Sequence, residues 1–155
     1  MKAHQIMTRD VLAVTEDSTV ESVAQMLVTR RISAVPVVAD DNKLVGMVSL
    51  NDLFPRLKDM RFSGQRLAKL FDSLINLADL PDLYWTTRHY PVTDVMDRFV
   101  PQIDIDDEQE QITSQLLYSD YRSLPVVEDG RLVGIISRAD LLRVAMKIPG
   151  ADTNA

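Results

Sequence analysis

With 155 residues, 46% of them hydrophobic, the chain is long enough for one compact domain or two small intertwined halves around a sizeable core. A net charge of -6 disfavours nonspecific nucleic-acid binding, so an anionic ligand must be met by locally placed arginines. The absence of cysteine excludes disulfides and thiolate zinc sites and points to a cytoplasmic setting, while the two histidines, His4 and His89, stand too far apart in sequence to suggest a metal or hydrolase centre.

The predicted elements in chain order state one pattern twice. Ile6-Met7-Thr8 opens the first copy, and an extended piece follows over Val11–Val14. Ser18 with Glu21 three residues on reads as a capping box. Behind it Val20, Val23, Ala24, Leu27 and Val28 recur at helical spacing. Two apolar, β-branched runs, Val35–Ala39 and Leu44–Ser49, flank the polar turn Asp40-Asp41-Asn42 and predict paired strands. A second helix is predicted over Asn51–Lys58.

The segment 59–90 has no counterpart elsewhere in the chain. Leu67, Leu70, Phe71 and Leu74 predict an amphipathic helix over Gln65–Ala78, which Pro81 ends, and the aromatics Tyr84, Trp85 and Tyr90 follow. This connector reads as packing against its own module or a dimer mate, with partner docking as the alternative. The second copy then begins with Val95-Met96-Asp97 and an extended piece over Val100–Ile105. Asp107 with Glu110 predicts a helix start, and Ile112 and Leu116 continue its apolar face. Strands over Leu124–Glu128 and Leu132–Ser137 flank Glu128-Asp129-Gly130, and a helix over Ala139–Lys147 closes the copy. The tail 149–155 is expected to fray. No apolar run is long enough to span a bilayer, and no charged-then-apolar leader is recognisable.

The two copies coincide where chemistry is possible. Pro36-Val37-Val38 leads to Gly46-Met47-Val48-Ser49-Leu50-Asn51-Asp52, and Pro125-Val126-Val127 leads to Gly134-Ile135-Ile136-Ser137-Arg138-Ala139-Asp140. Both read G-h-h-S-x-x-D. The serine falls at a strand-to-helix turn, where unpaired N–H groups and the helix dipole suit phosphate. The aspartate, one turn on, can accept from two adjacent hydroxyls such as a ribose diol. The plainer reading makes Ser49 and Ser137 helix caps and the aspartates partners of the dipole. Repetition in register favours a paired binding site, and one hydroxyl can serve both ends. The acidic run Asp104, Asp106, Asp107 and Glu108 reads as a solvated helix start rather than a magnesium site.

Together these duplicated motifs resemble a tandem pair of cystathionine-β-synthase (CBS) domains, a Bateman module of the stand-alone bacterial type. The resemblance covers Ile6–Phe54 and Val92–Lys147. It implies an α+β fold of two pseudo-symmetric β-α-β-β-α repeats packed sheet to sheet, at 1–58 and 91–148, with the helical insertion 59–90 between them. It also implies two clefts that bind adenosine-containing ligands such as AMP, ADP or ATP, and pairing of modules into a flat homodimer. No cofactor is required.

Carried over residue by residue, Asp52 and Asp140 hold ribose hydroxyls, and Ser49 and Ser137 touch ribose or phosphate. Ile32-Ser33-Ala34 and Tyr121-Arg122-Ser123 line base and phosphate in the cleft completed by the other repeat. The backbone near Thr8, Val11 and Leu12, or near Val100 and Pro101, meets adenine. One cleft then joins Asp140, Ser137 and Arg138 with Ile32-Ser33-Ala34, and the other joins Asp52 and Ser49 with Tyr121-Arg122. Arg30, Arg31, Arg122 and Arg138 are the candidate phosphate partners, the first two reading more readily as surface charges.

The expectation is a non-enzymatic, cytoplasmic adenine-nucleotide sensor, probing neither membrane nor nucleic acid and signalling to a separate protein target. Its rivals are a dimerisation scaffold with empty clefts, a sensor of S-adenosylmethionine, NAD or a cyclic dinucleotide, and, weakest, an enzyme.

Overall fold

The computed structural model describes residues 1–53 and 88–147. The first part contains α1 (Ala3–Ile6), β1 (Val14–Thr15), α2 (Val20–Arg30), β2 (Ala34–Val38), β3 (Leu44–Ser49) and α3 (Leu50–Leu53). The second contains a 3-10 turn (Val92–Asp94), β4 (Ile103–Asp104), α4 (Gln109–Tyr118), β5 (Ser123–Glu128), β6 (Arg131–Ser137) and α5 (Arg138–Ala145). Two three-stranded sheets, β1-β2-β3 and β4-β5-β6, repeat one topology: the first pair parallel, the second antiparallel. The fold is α+β and pseudo-symmetric, as the repeat implies.

Each central strand carries a proline, which cannot donate to a ladder. Pro36 lies opposite Met47, whose N–H and C=O bond instead to Asp97, so this pair exchanges no ladder hydrogen bond. On its other side β1 meets only Val37 and Val38. Pro125 repeats the solution: Ile135 opposite it bonds to Thr8, and β4 meets only Val126 and Val127. The proline therefore costs each sheet no hydrogen bond.

Those same bonds interlock the halves. Met7-Thr8 pairs onto β6 of the second repeat, and Met96-Asp97 pairs onto β3 of the first. Ala3, Ile6 and Met7 accordingly pack with Ile103, Ile112, Leu116 and Ile136, while Val92 and Met96 pack with Val20, Leu27 and Val48. Each opening segment thus completes the other repeat's core. The glycines of the motif make this possible. A Cβ on Gly46 would lie 2.6 Å from the Asp97 carbonyl oxygen, and one on Gly134 would lie 2.4 Å from the Met7 sulfur. At both positions the room left by glycine is taken by the opposite repeat. The hairpin turns also join: Leu44 N–H donates to Gly130, Leu132 N–H to Asn42, and Val38, Leu44, Val127 and Leu132 form a small third core.

The helix starts differ from expectation by one residue. Thr19, not Ser18, caps α2 by accepting from Ser22 N–H, because Ser18 is engaged by Thr15 N–H. Glu108 with Gln111, not Asp107 with Glu110, forms the box on α4, because Asp107 accepts from Asp104 N–H. The opening strands are also shorter than the predicted extended pieces. The predicted helix Gln65–Ala78, the stretch with Tyr84 and Trp85, the end of the helix after Leu53 and the tail lie outside the described residues.

Candidate functional site

Asp52 and Asp140 are the buried charged side chains among the described residues, each only 5% exposed. A buried carboxylate needs hydrogen bonds, and the motif supplies them locally. Ser49 donates to Asp52 Oδ2 from its N–H at 2.8 Å and its hydroxyl at 2.9 Å. Ser137 does the same to Asp140 Oδ2 at 2.7 and 2.5 Å, and its hydroxyl accepts from Asp140 N–H at 3.3 Å. Asp140 Oδ1 also receives Arg143 Nη1 at 2.8 Å, from one turn along α5. The capping reading of the motif is therefore real geometry. It also fixes each carboxylate beside a cleft, and Asp140 keeps acceptor capacity beyond these three bonds, since a carboxylate accepts about four hydrogen bonds.

Two clefts flank the crossing of the repeats. The first, about 500 Å³, brings Ser137 and Asp140 together with Ile32, Ser33, Ala34, Thr8, Val11 and Leu12. The second, about 680 Å³, brings Ser49 and Asp52 together with Tyr121 and Arg122. Both volumes fall in the range of small-molecule sites. The cross-repeat pairing is the one expected from the sequence. It arises because Leu50 N–H, opening α3, donates to Ser33 C=O, and Arg138 N–H, opening α5, donates to Arg122 C=O. Those bonds seat the segment before each proline beside its own repeat's helix start, and the interlock turns it toward the other repeat.

Three expected site residues stand apart. Arg138 does not line the cleft of Asp140: its guanidinium donates to the carbonyls of Leu116 at 3.1 and 3.3 Å and Ser119 at 3.1 Å. It closes the C-terminal end of α4, where orphan carbonyls and the dipole favour a cation. Val100 is buried in the second repeat's core and lines neither cleft. Arg30 is exposed and also lines neither. Four charged lining residues fall outside the expected set: Arg143 and Asp10 in the Asp140 cleft, Asp97 and Asp120 in the Asp52 cleft. Arg143, three residues after Asp140 on one helix, was legible from i,i+3 spacing.

Charge separates the clefts. That of Asp140 is lined by Arg31, Arg122 and Arg143 against Asp10 and Asp140. Among the described residues, that of Asp52 is lined by one arginine, Arg122, against Asp52, Asp97 and Asp120. Tyr121 O–H donates to Asp97 Oδ2 at 2.9 Å, and Phe99 N–H to Asp97 Oδ1 at 2.9 Å, which holds that carboxylate in place. Among the described residues no group of three or more His, Cys, Asp or Glu is placed to hold a metal ion, and the acidic run 104–108 is spent on turn and capping bonds and on Lys2.

The model of the CBS domain matches this chain at residues 3–59 and again at 92–147. The chain belongs to the CBS domain family. The CBS domain-containing protein CBSX1, chloroplastic, of Arabidopsis thaliana is 33% identical over 97% of the chain, which spans 67% of that protein. A solved CBS-pair protein, CBSX2 from Arabidopsis thaliana, has a TM-score of 0.74 at 25% identity, with 95% of each chain covered. CBSX2 in complex with AMP has a TM-score of 0.69 at 27% identity, covering 95% of this chain and 97% of that one. The chain therefore carries a tandem pair of CBS domains. No helix among its described residues is long and apolar enough to cross a membrane.

Proposed function

We propose that this CBS pair binds an adenosine nucleotide in the cleft of Asp140 and passes the binding event to a separate protein as a shift between two arrangements of its halves. The observation that carries the reading is one buried carboxylate, paired with Arg143, in a cleft of about 500 Å³ that Arg31 and Arg122 also line. Asp140 accepts the ribose hydroxyls. Arg31, Arg122 and Arg143 receive the phosphates, for which paired N–H donors are suited. Thr8, Val11, Leu12 and Ile32 give the base an edge of backbone and an apolar wall. The AMP complex of CBSX2 supports an adenine nucleotide as the ligand class.

The module works as a homodimer in the cytoplasm. Leu142 and Met146 at the end of α5 are 61% and 60% exposed, and a second copy covers them. A ligand moves the equilibrium only by its differential affinity for the two arrangements, so the signal is strongest for the ligand that best bridges the repeats.

A thermal-shift panel of AMP, ADP, ATP, NAD, S-adenosylmethionine and cyclic dinucleotides tests the reading. A ligand at a hundred times its Kd adds about 2.7 kcal/mol and raises the midpoint accordingly. Asp140→Asn, which preserves volume, is expected to weaken AMP ten- to a hundredfold, the value of about 1.5–3 kcal/mol for a charge-assisted hydrogen bond. No shift with any compound, confirmed by calorimetry, leaves the dimerisation scaffold as the reading. A shift with S-adenosylmethionine alone transfers the site to that ligand.

A further inference from the structure

The two clefts meet at a ridge contributed by both repeats. By the register of the repeat, Ser33 and Arg122 occupy equivalent positions: each stands three residues before the strand proline, and each carbonyl accepts from the first N–H of its repeat's closing helix. Both residues line both clefts. At this shared position one repeat supplies a hydroxyl and the other a guanidinium. Arg122 is exposed, and its guanidinium makes no hydrogen bond or ion pair among the described residues. It is therefore held by neither cleft and is at hand to both.

Its value to the two clefts is unequal. The Asp140 cleft has Arg31 and Arg143 besides, whereas among the described residues of the Asp52 cleft Arg122 is the lining cation, facing three aspartates. One guanidinium can bind a phosphate in only one direction at a time. We propose that Arg122 is a single cation shared between the two clefts, so that a phosphate-bearing ligand in the Asp140 cleft withdraws it and lowers the affinity of the Asp52 cleft for a second such ligand. The coupling is negative and, as a binding free energy, reciprocal. A ligand without phosphate does not recruit Arg122 and fills the clefts independently. The asymmetry thus makes the occupancy of the Asp52 cleft a readout of the charge of its neighbour's ligand. The inference rests on nucleotide binding in these clefts.

Calorimetric titration of the intact chain with AMP and with adenosine, on the wild type and on Arg122→Met, tests it. Met keeps an unbranched apolar stem and removes the charge, and an exposed, unpartnered position tolerates the change. In the wild type, AMP is expected to bind the second cleft at least about fivefold more weakly than it binds that cleft when the first is empty, within the usual span of couplings. Adenosine is expected to show no such factor. In Arg122→Met the factor for AMP falls to that for adenosine. Ser33→Arg, which places a second guanidinium on the ridge, restores the second phosphate site. Independent binding of AMP to both clefts in the wild type overturns the inference and leaves nucleotide binding standing. So does a coupling that persists unchanged in Arg122→Met. Failure of both AMP and adenosine to bind anywhere overturns both readings together.

Discussion

The cleft of Asp140 and the cleft of Asp52 share a backbone and differ in charge. Where Thr8 lines the first, the equivalent Asp97 lines the second; where Arg31 lines the first, Asp120 lines the second. Arg143 has the neutral Pro55 at its corresponding sequence position. The parts that build the fold are kept in both copies: the strand proline, the glycine under the crossing segment, and the serine-aspartate box. The parts that line the clefts differ in charge, and between Arg31 and Asp120 the sign is reversed. Duplication constrains the residues that each half needs to fold, and leaves the lining of each cleft open to change.

The most direct way to break the comparison is to exchange the charges. Thr8→Asp with Arg31→Asp gives the Asp140 cleft the two aspartates that line its counterpart at these positions. AMP affinity is expected to fall about a hundredfold or more, since the charge-assisted contact of Arg31, about 1.5–3 kcal/mol, is lost and two carboxylates are set against the phosphate. Asp120→Arg, at an exposed position, is expected to strengthen AMP at the Asp52 cleft about tenfold. Calorimetry on both variants gives the result, and equal affinities before and after mean that charge does not distinguish the clefts.

The next effect is on stability and concerns what the copies share. Gly46→Ala places a methyl group 2.6 Å from the Asp97 carbonyl, a backbone oxygen held by Met47 N–H. Gly134→Ala places one 2.4 Å from the Met7 sulfur, part of a side chain with rotatable bonds. Overpacking costs about 1–3 kcal/mol, and Gly46→Ala is expected at the upper end because backbone gives way least. Urea denaturation of both variants ranks them. A larger loss in Gly134→Ala means that the second repeat's crossing is the tighter one.

These residues also mark how far the sequence reaches. The pairing of Asp140 with Ile32-Ser33-Ala34, and of Asp52 with Tyr121-Arg122, was legible because the repeat fixes register and register fixes which end of each sheet faces the other half. The charge difference was legible too, once Thr8 is set beside Asp97 and Arg31 beside Asp120, but motif matching passes over positions outside the motif. The role of Arg138 was not. Its guanidinium reaches carbonyls some twenty residues earlier in the chain, and only the packing of α4 against α5 brings them together. Nor were the one-residue shifts in helix starts: Ser18 and Thr19, or Asp107 and Glu108, offer equal caps until the preceding turn claims one of them.

Arg31 offers a smaller and cleaner separation of fold from function. It ends α2 with φ at 55°, the left-handed conformation that glycine adopts without penalty. Its counterpart Asp120 has no such φ. Arg31→Gly is expected to raise stability by up to about 1 kcal/mol while weakening AMP in the Asp140 cleft. A variant that melts higher and binds less assigns Arg31 to the ligand, whereas unchanged AMP affinity removes it from the site.

The smallest effect compares the turns that precede the two long helices. Asp106 accepts from Lys2 Nζ at 3.0 Å, and the hydrogen bond and charge of that ammonium hold its carboxyl below the usual carboxylate range. Asp17, its equivalent, is held below the range by the Thr15 hydroxyl. Both groups are exposed. For each the folded-state value is the depressed one, so the stabilisation is present above the ordinary carboxylate range and is lost as pH falls through the folded value. The causes differ, and salt distinguishes them: screening acts on an exposed ion pair and spares a hydrogen bond from a neutral hydroxyl. Carboxyl titration by NMR at low and high salt is therefore expected to return Asp106 toward its ordinary value and to leave Asp17 nearly in place. Equal movement of both would mean that Lys2, which anchors the segment carrying Thr8 into the Asp140 cleft, acts as a hydrogen-bond donor more than as a charge.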